Sequence, residues 1–301
     1  MAEGYIGPES VVDELLMALL ASGHVLLEGV PGIAKTTVAK RFSDCLGCTF
    51  SRVQFTQDIL PGDITGAHIF NMQSRSFELH QGPIFANVVL GDEINRAPPK
   101  VQSALLEAMQ EQQVTIDGKT MTLPDPFLVL ATRNPIEQAG VYPLPEAQID
   151  RFLVCISMGY PTAEDEARML RTWRAKLKPP TPILNGEAIK SLREAVDEVH
   201  LAPELETYIV SLANASRNDA RVELGASPRA SLALARAARA WAYLYGRDHV
   251  LPEDIRSILS SVWSHRLVLT PEAQMNGVDG ATVIQDLVEQ IEFRGPASRV
   301  Q

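Results

Sequence analysis

The chain of 301 residues lacks most of the features that mark secreted, membrane-bound or polyanion-binding proteins. It has three cysteines, an odd number that is too small for a disulfide framework. No apolar run reaches the length of a membrane span, and no Lys or Arg precedes the first apolar segment as it would in a secretory leader. Basic residues are in the minority, with 27 Lys and Arg against 37 Asp and Glu. These deficits predict a cytoplasmic protein without membrane contact, and they count against nucleic acid as the main substrate.

Two of the cysteines, Cys45 and Cys48, form a C-x-x-C pair. A redox pair places its reactive thiolate at a helix N-terminus, whereas this pair lies at the predicted C-terminal end of a helix, around the stop signal Gly47. A zinc ion needs two further ligands, and no nearby Cys-His cluster supplies them. Both cysteines are therefore expected to be structural.

What the chain does contain is a glycine-rich loop between the apolar run His24–Glu28 and the predicted helix Lys35–Leu46. Backbone N–H groups at a helix N-terminus bind phosphate, a lysine there reaches the β- and γ-phosphates, and the Thr36 hydroxyl can hold Mg²⁺. The alternative is an ordinary connector with a coincidental Lys-Thr pair. The candidate phosphate-binding residues are Gly29, Pro31, Gly32, Ile33, Ala34, Lys35, Thr36 and Thr37.

One residue of this loop departs from the strict pattern, which has glycine just before the lysine. Here that residue is Ala34. An alanine costs little if the position has right-handed helical dihedrals, and it is strained if the position needs a positive φ. The sequence leaves both possibilities open.

Polar residues follow two further apolar segments that are predicted to be buried strands. Ala86–Gly91 is followed by Asp92 and Glu93. Asp92 can hold Mg²⁺ directly or through water, and Glu93 can accept a proton from an attacking water; two acids at a helix N-terminus are the alternative. Asn134, after Phe127–Ala131, can orient the water or touch the γ-phosphate, although Asn-Pro is also a common turn opening.

Two arginines later in the chain are candidates for contact with the phosphates. Arg151 ends a short predicted helix, and a guanidinium that reaches a neighbour's γ-phosphate would stabilise the charge of the transferring group. By spacing alone, a surface ion pair with Asp150 or Glu146 is the better interpretation. Arg229 lies in the first turn of a later helix, on a polar stripe typical of a solvated face, and it could reach the phosphates from a lid.

The order of the predicted elements indicates the fold. Strand candidates interleaved with helices argue for a doubly wound α/β domain with a parallel sheet. Two hairpins are inserted in it, one over 68–80 and one over 114–123, the second with an Asp117-Gly118 turn of type I′. After Pro161 no convincing strand follows, and proline and capping signals begin a series of helices. We therefore expect a core domain over 1–160 and an all-α domain over 161–301.

Three segments closely resemble the MoxR family of AAA+ ATPases. They are Gly82–Met109, which contains Glu93-Ile94-Asn95-Arg96-Ala97-Pro98-Pro99-Lys100; Ala131–Pro135 with Glu137; and Tyr142–Phe152. The match runs from about Tyr5 to Phe152 and continues more weakly through the helical half. It is far more specific than the phosphate loop alone.

The resemblance implies an AAA+ core of five parallel strands with helices on both faces, hairpins inserted in helix 2 and before sensor 1, and a smaller α-helical lid. It also implies a ring, usually hexameric, with ATP and Mg²⁺ at each subunit interface. It gives these roles: Glu93 as the Walker B base, Asn134 as sensor 1, Arg151 as the arginine finger of the adjacent subunit, Arg229 as sensor 2, and Ile6 and Gly7 in the adenine pocket.

Family members act as chaperone-like motors with partners that carry a von Willebrand factor A domain, often in complex maturation or metal-cofactor insertion. The leading hypothesis is therefore an ATPase whose hydrolysis moves the hairpins against a protein substrate. A nucleotide-dependent switch or scaffold with negligible turnover is the second hypothesis, and it would need neither Glu93 nor Arg151. A DNA-directed AAA+ motor is the third. Lys119 is the only basic residue over 114–123, so this hairpin offers little to a phosphate backbone.

Overall fold

Strands and helices alternate in the first half of the chain, and helices predominate in the second. The computed structural model describes residues 6–30, 32–134, 141–172 and 180–293. The strands are β1 (His24–Glu28), β2 (Phe50–Gln54), β3 (Gly66–Asn71), β4 (Ser76–Gln81), β5 (Val88–Asp92), β6 (Gln113–Ile116), β7 (Lys119–Thr122), β8 (Leu128–Arg133), β9 (Phe152–Ser157), β10 (Val222–Leu224) and β11 (Val268–Leu269). The helices are α1 (Glu9–Leu20), α2 (Lys35–Leu46), α3 (Pro61–Thr65), α4 (Pro99–Glu111), α5 (Glu146–Ile149), α6 (Ala163–Thr172), α7 (Gly186–Asp197), α8 (Pro203–Asn218), α9 (Pro228–Leu244), α10 (Pro252–Trp263), α11 (Pro271–Met275) and α12 (Gly280–Gln290).

The central sheet has five strands in the order β2-β5-β8-β1-β9, which confirms the predicted doubly wound core. The pairs β2–β5, β5–β8 and β1–β8 are parallel, with Phe50 opposite Val88 and Val25 opposite Leu130. Every residue of β5 is buried. This continuous burial is what a parallel strand covered on both faces requires. Because the strands are parallel, the residues that follow β1, β5 and β8 meet at one edge of the sheet.

Both predicted hairpins are present. β3 pairs with β4 around a turn at 72–75, and β6 pairs with β7 around Asp117 and Gly118. The φ angles of 48° and 79° at these two turn residues are the positive values of a type I′ turn. The two hairpins also touch, since the His68 imidazole and the Asp117 carboxylate lie 2.6 Å apart.

Short elements are the ones that the sequence analysis missed. The five-residue helix α3 precedes the first hairpin, and the short strands β10 and β11 form an antiparallel pair in the helical half. Segments of two to five residues are too short to show a helical or strand period. The helical lid is otherwise as expected: the Ser227 hydroxyl accepts a hydrogen bond from the Ala230 N–H at 3.1 Å and caps α9.

The backbone contacts divide the chain into two compact units. The first comprises 1–12, 24–144 and 156–190, and the second comprises 13–23, 145–155 and 191–301. The domain boundary expected between residues 160 and 161 stays a prediction. Helix α2 ends at Leu46 and is capped by Gly47, whose φ of 61° is the left-handed value of a C-cap, so the C-x-x-C pair lies at a helix C-terminus as predicted. Within the described ranges, no helix has the length and apolar character needed to cross a membrane.

Candidate nucleotide-binding site

The backbone of the loop after β1 favours glycine at two points. At Gly29 a Cβ would lie 2.5 Å from the Met158 carbonyl oxygen, and Gly32 has a φ of 88°. Ala34 also has a positive φ of 66°, so of the two possibilities left open by the sequence the strained one is correct. An alanine in this region costs about 1–2 kcal/mol relative to its preferred conformations. Pro31 lies outside the described residues.

The Lys35 ammonium group lies between the ends of two strands. Its Nζ donates to the Gly29 carbonyl at 2.7 Å and to the Arg133 carbonyl at 3.5 Å. Burial lowers the pKa of Lys35, and the carboxylates of Asp92 and Glu93 oppose that shift. An anion that enters beside Lys35 would therefore compensate a charge that the protein itself solvates poorly.

Asp92 is buried and is held by threonines from two neighbouring elements. Its Oδ1 accepts a hydrogen bond from the Thr132 hydroxyl at 2.9 Å, and its Oδ2 accepts one from the Thr36 hydroxyl at 3.2 Å. The Thr132 hydroxyl in turn accepts the backbone N–H of Glu93 at 2.9 Å. One buried hydroxyl thus fixes the orientation of Asp92 and the backbone of the next residue.

Glu93 has an unusual backbone, with φ 60° and ψ 51° in the left-handed region. Its Oε2 accepts a hydrogen bond from Gln54 Nε2 at 3.1 Å and lies 3.0 Å from Arg96 Nε. Non-glycine residues in this conformation cost on the order of 1–3 kcal/mol and are concentrated at functional sites. The strained backbone directs a carboxylate to a place where neighbouring polar groups restrain it.

The sequence analysis did not identify Arg52 and Gln54 as site residues. Arg52 binds Asp92 Oδ2 through Nε at 2.9 Å and through Nη2 at 2.7 Å, and Nη2 also donates to Gln54 Oε1 at 3.1 Å. The two residues are separated by one position on β2, which pairs with the strand that ends in Asp92. The sequence signal for them was that both are polar and lie at alternate positions of a predicted strand, which places their side chains on the same face of the sheet.

These groups surround a cavity of about 310 Å³. Its lining residues are Gly32, Ala34, Lys35, Thr36, Thr37, Arg52, Gln54, Asp92, Glu93, Thr132 and Asn134. A smaller cleft of about 60 Å³ in the same compact unit is lined mainly by apolar residues, among them Ile6, Gly7, Ile33, Met158 and Met169. The structure therefore brings together the predicted loop, both acids and Asn134, and it places Ile6 and Gly7 beside the loop.

The two candidate arginines lie in the second compact unit. Arg151 follows α5. Asp150, which with Glu146 was one of its two expected partners, accepts a hydrogen bond from Arg266 Nη1 at 2.9 Å through Oδ1, and the role of Arg151 stays a prediction. The Nε of Arg151 is buried and has no hydrogen-bond partner among the described residues. Burial lowers the pKa of Arg266 to about 10; the Asp150 carboxylate opposes this shift and Arg229 adds to it. Arg229 is exposed in the first turn of α9.

Comparison with known proteins gives a consistent result. A family model described as "ATPase family associated with various cellular activities (AAA)" matches residues 24–154, and one described as "AAA lid domain" matches 214–287. Chaperone MoxR1 of Mycobacterium tuberculosis is 45% identical over 297 residues, covering 95% of this chain and 78% of MoxR1. The uncharacterized protein YeaC of Bacillus subtilis is 43% identical over 298 residues, covering 98% and 93% of the two chains.

A solved structure extends the comparison to the fold. The crystal structure of a candidate ATPase from Cytophaga hutchinsonii superposes with a TM-score of 0.91 at 39% identity, covering 98% of this chain and 92% of the other. The two family models fall on the sheet with its loop and on the later helices, so the class is that of the AAA+ ATPases. Within this class, the near full-length similarity to MoxR1 shows that the chain belongs to the MoxR family.

Proposed function

We propose that this protein binds and hydrolyses ATP and uses the energy to remodel protein partners. The observation that carries the proposal is the convergence of Lys35, Thr36, Asp92 and Glu93 on one cavity of about 310 Å³. Lys35 and the loop N–H groups would hold the phosphates, and the apolar cleft beside Ile6 and Gly7 would take the adenine. Asn134 lines the same cavity as a neutral group that can orient the attacking water.

The residues present fit a magnesium ion. The Thr36 hydroxyl and the Asp92 carboxylate are oxygen donors 3.2 Å apart on the cavity wall, and Mg²⁺ prefers oxygen ligands. When bound, the ion would supply positive charge that neutralises the phosphates. Thr132 would keep Asp92 Oδ2 turned toward the ion by engaging Oδ1.

Glu93 is the group proposed to accept the proton of the attacking water. Its Oε2 is held by Gln54 and Arg96, which orients the carboxylate while its other oxygen, Oε1, can accept a proton from a water in the cavity. General base catalysis typically contributes about 10²–10⁴-fold to a rate. We therefore expect Glu93→Gln to lower the steady-state ATPase rate by at least about 100-fold.

Glu107→Gln is the matched control, because Glu107 is exposed on α4 and its replacement removes the same charge. Its ATPase rate is expected to stay within about twofold of wild type, since exposed substitutions away from a site have small effects. Equal rates for wild type and Glu93→Gln would remove the hydrolysis proposal. That result would favour the nucleotide-dependent switch or scaffold.

Ring assembly, with Arg151 acting on the ATP of an adjacent subunit, is the second part of the proposal. An arginine that stabilises the transferring phosphoryl group contributes about 10³-fold or more. Arg151→Ala alone should therefore be inactive, like Glu93→Gln. A mixture of the two should recover activity, because the Glu93→Gln subunit still donates Arg151 to a neighbour whose Glu93 is intact. A mixture that stays inactive would contradict action between subunits. Arg229 would reach the phosphates from the lid, and Arg229→Ala should weaken nucleotide turnover without preventing assembly.

Protein substrates are supported by the first hairpin. It exposes several large apolar side chains, among them Met72 with 85% and Phe77 with 69% of its surface accessible. We propose that nucleotide turnover moves this hairpin against a client, in complex maturation or metal-cofactor insertion, together with a partner that carries a von Willebrand factor A domain. A cytoplasmic location belongs to the same proposal.

The partner can be captured with Glu93→Gln, because slowed turnover should hold the ATP-bound complex together. Recovery of a von Willebrand factor A protein with this variant in ATP, and not in ADP, would support the assignment. A DNA-directed motor predicts salt-sensitive DNA binding by the assembled ring instead. The second hairpin has Lys119 as its basic group, and its acidic Asp117 engages His68. It therefore offers little positive charge to a DNA backbone.

A further inference from the structure

Arg52 occupies the carboxylate oxygen that a metal ion in this cavity would use. Asp92 Oδ1 is engaged by Thr132, which leaves Oδ2 to face Thr36. Arg52 donates to that same Oδ2 through Nε at 2.9 Å and lies 2.7 Å from it through Nη2. The guanidinium thus stands where a cation is expected to stand.

The guanidinium and a metal ion cannot share this oxygen without conflict. Mg²⁺ lies about 2.0–2.1 Å from its oxygen ligands. An ion bound to Asp92 Oδ2 would therefore be only about 4 Å from the Arg52 nitrogen on the same oxygen, a separation well inside the screening length of salt. Two cations at this distance repel each other, so the ion and Arg52 compete for Asp92.

Arg52 is more open to solvent than the carboxylate that it binds. Its side chain is 49% exposed, whereas that of Asp92 is 10% exposed. It lines the same cavity as Lys35, so the γ-phosphate of a bound nucleotide offers its guanidinium a second anion within the site. Arginine binds carboxylate and phosphate with similar geometry, so the Arg52 guanidinium can exchange the Asp92 carboxylate for the γ-phosphate.

We propose that Arg52 is a positioning residue that neutralises Asp92 while the site lacks metal and leaves it when Mg²⁺ and a triphosphate enter together. This inference rests on the proposed nucleotide site. It gives Arg52 a specific consequence: the empty protein binds a divalent ion weakly, and metal and nucleotide bind cooperatively. Without Arg52, the buried carboxylate of Asp92 would attract the ion even when no nucleotide is present.

The test measures Mn²⁺, used as a probe for Mg²⁺, binding to the nucleotide-free full-length chain by the loss of the free-ion electron paramagnetic resonance signal. Removal of a competing charge-assisted contact should strengthen Mn²⁺ binding by about three- to tenfold in Arg52→Gln. Arg52→Lys keeps the charge without the fork and should lie between this variant and wild type. Arg75→Gln, on the exposed turn of the first hairpin, removes the same charge elsewhere and should match wild type.

The tighter Mn²⁺ binding of Arg52→Gln must also depend on Asp92, so the double variant Arg52→Gln/Asp92→Asn should lose it. In parallel, the improvement that Mg²⁺ brings to ATP affinity should be smaller in Arg52→Gln than in wild type. If wild type binds Mg²⁺·ATP and Arg52→Gln shows unchanged Mn²⁺ binding, the inference is wrong and the nucleotide site stands. If wild type does not bind ATP at all, both the proposed function and this inference fail. Should Arg52→Gln not fold, Arg52→Lys decides, because Mn²⁺ binding no tighter than that of wild type would then reject the competition.

Discussion

Replacement of Ala34 by glycine should stabilise the empty protein, which is the reverse of what this change does in a helix. Ala34 has a φ of 66°, and removal of its Cβ relieves about 1–2 kcal/mol of backbone strain in the folded state. Glycine also increases the conformational entropy of the unfolded chain, which lowers the free energy of unfolding by about 0.5–1 kcal/mol. We expect the free energy of unfolding of Ala34→Gly to rise by about 0.5–1 kcal/mol.

The matched control is Ala104→Gly, in the middle of α4 and in the same compact unit. A glycine inside a right-handed helix costs about 1 kcal/mol, so the two variants should differ by about 1.5–2 kcal/mol with opposite signs. Urea unfolding should be followed by far-ultraviolet circular dichroism, because α4 and the sheet of the first unit contribute to that signal. ATP affinity of Ala34→Gly should stay within about threefold, since the loop already has the required conformation. A loss of stability equal to that of Ala104→Gly would refute the argument that Ala34 is strained.

Three further outcomes can be checked. Thr132→Val leaves the Asp92 carboxylate and the Glu93 N–H without their shared buried hydroxyl, so chemical denaturation should show a loss of about 1–3 kcal/mol; an unchanged midpoint would contradict this role. Burial, followed by the charge of Asp13, raises the pKa of Glu14 to about 7, above its value in the unfolded chain. The stability that protonated Glu14 contributes to the folded state is therefore complete below about pH 4.5 and is lost as the pH rises through 7. Glu14→Gln should therefore match wild type near pH 4 and exceed it by up to about 3 kcal/mol at pH 8 in urea titrations, whereas equal stability at both pH values would argue against it. Met72→Asp, on the exposed hairpin turn, should keep basal ATPase activity and thermal stability but reduce recovery of protein partners in the Glu93→Gln background, and undiminished recovery would exclude this side chain from client contact.

Much of the fold could be predicted because its signals are local. The loop, the strand that ends in Asp92 and the Asp117-Gly118 turn each depend on a few neighbouring residues, and the structure has all three in the expected places. The family was also recognisable from contiguous segments, and the similarity to MoxR1 confirms it. The roles assigned to individual site residues stay predictions.

What could not be predicted depends on pairings between distant parts of the chain. Asp150 binds Arg266, 116 positions away, a partner that local spacing does not indicate. Arg52 meets Asp92 only because β2 lies beside β5 in the sheet. The φ of Ala34 was likewise undetermined, because loop closure between β1 and α2 sets it and the residue type does not.

The contact between His68 and Asp117 links the two inserted hairpins. Asp117 is 69% exposed there, and a polar contact so open to water is worth only about 0–1 kcal/mol. The β3–β4 ladder, by contrast, pairs six residues on each strand. We therefore expect a mechanical load on the first hairpin to break the His68–Asp117 contact before it unzips the β3–β4 ladder, so that this hairpin could be displaced with its own strand pairing intact.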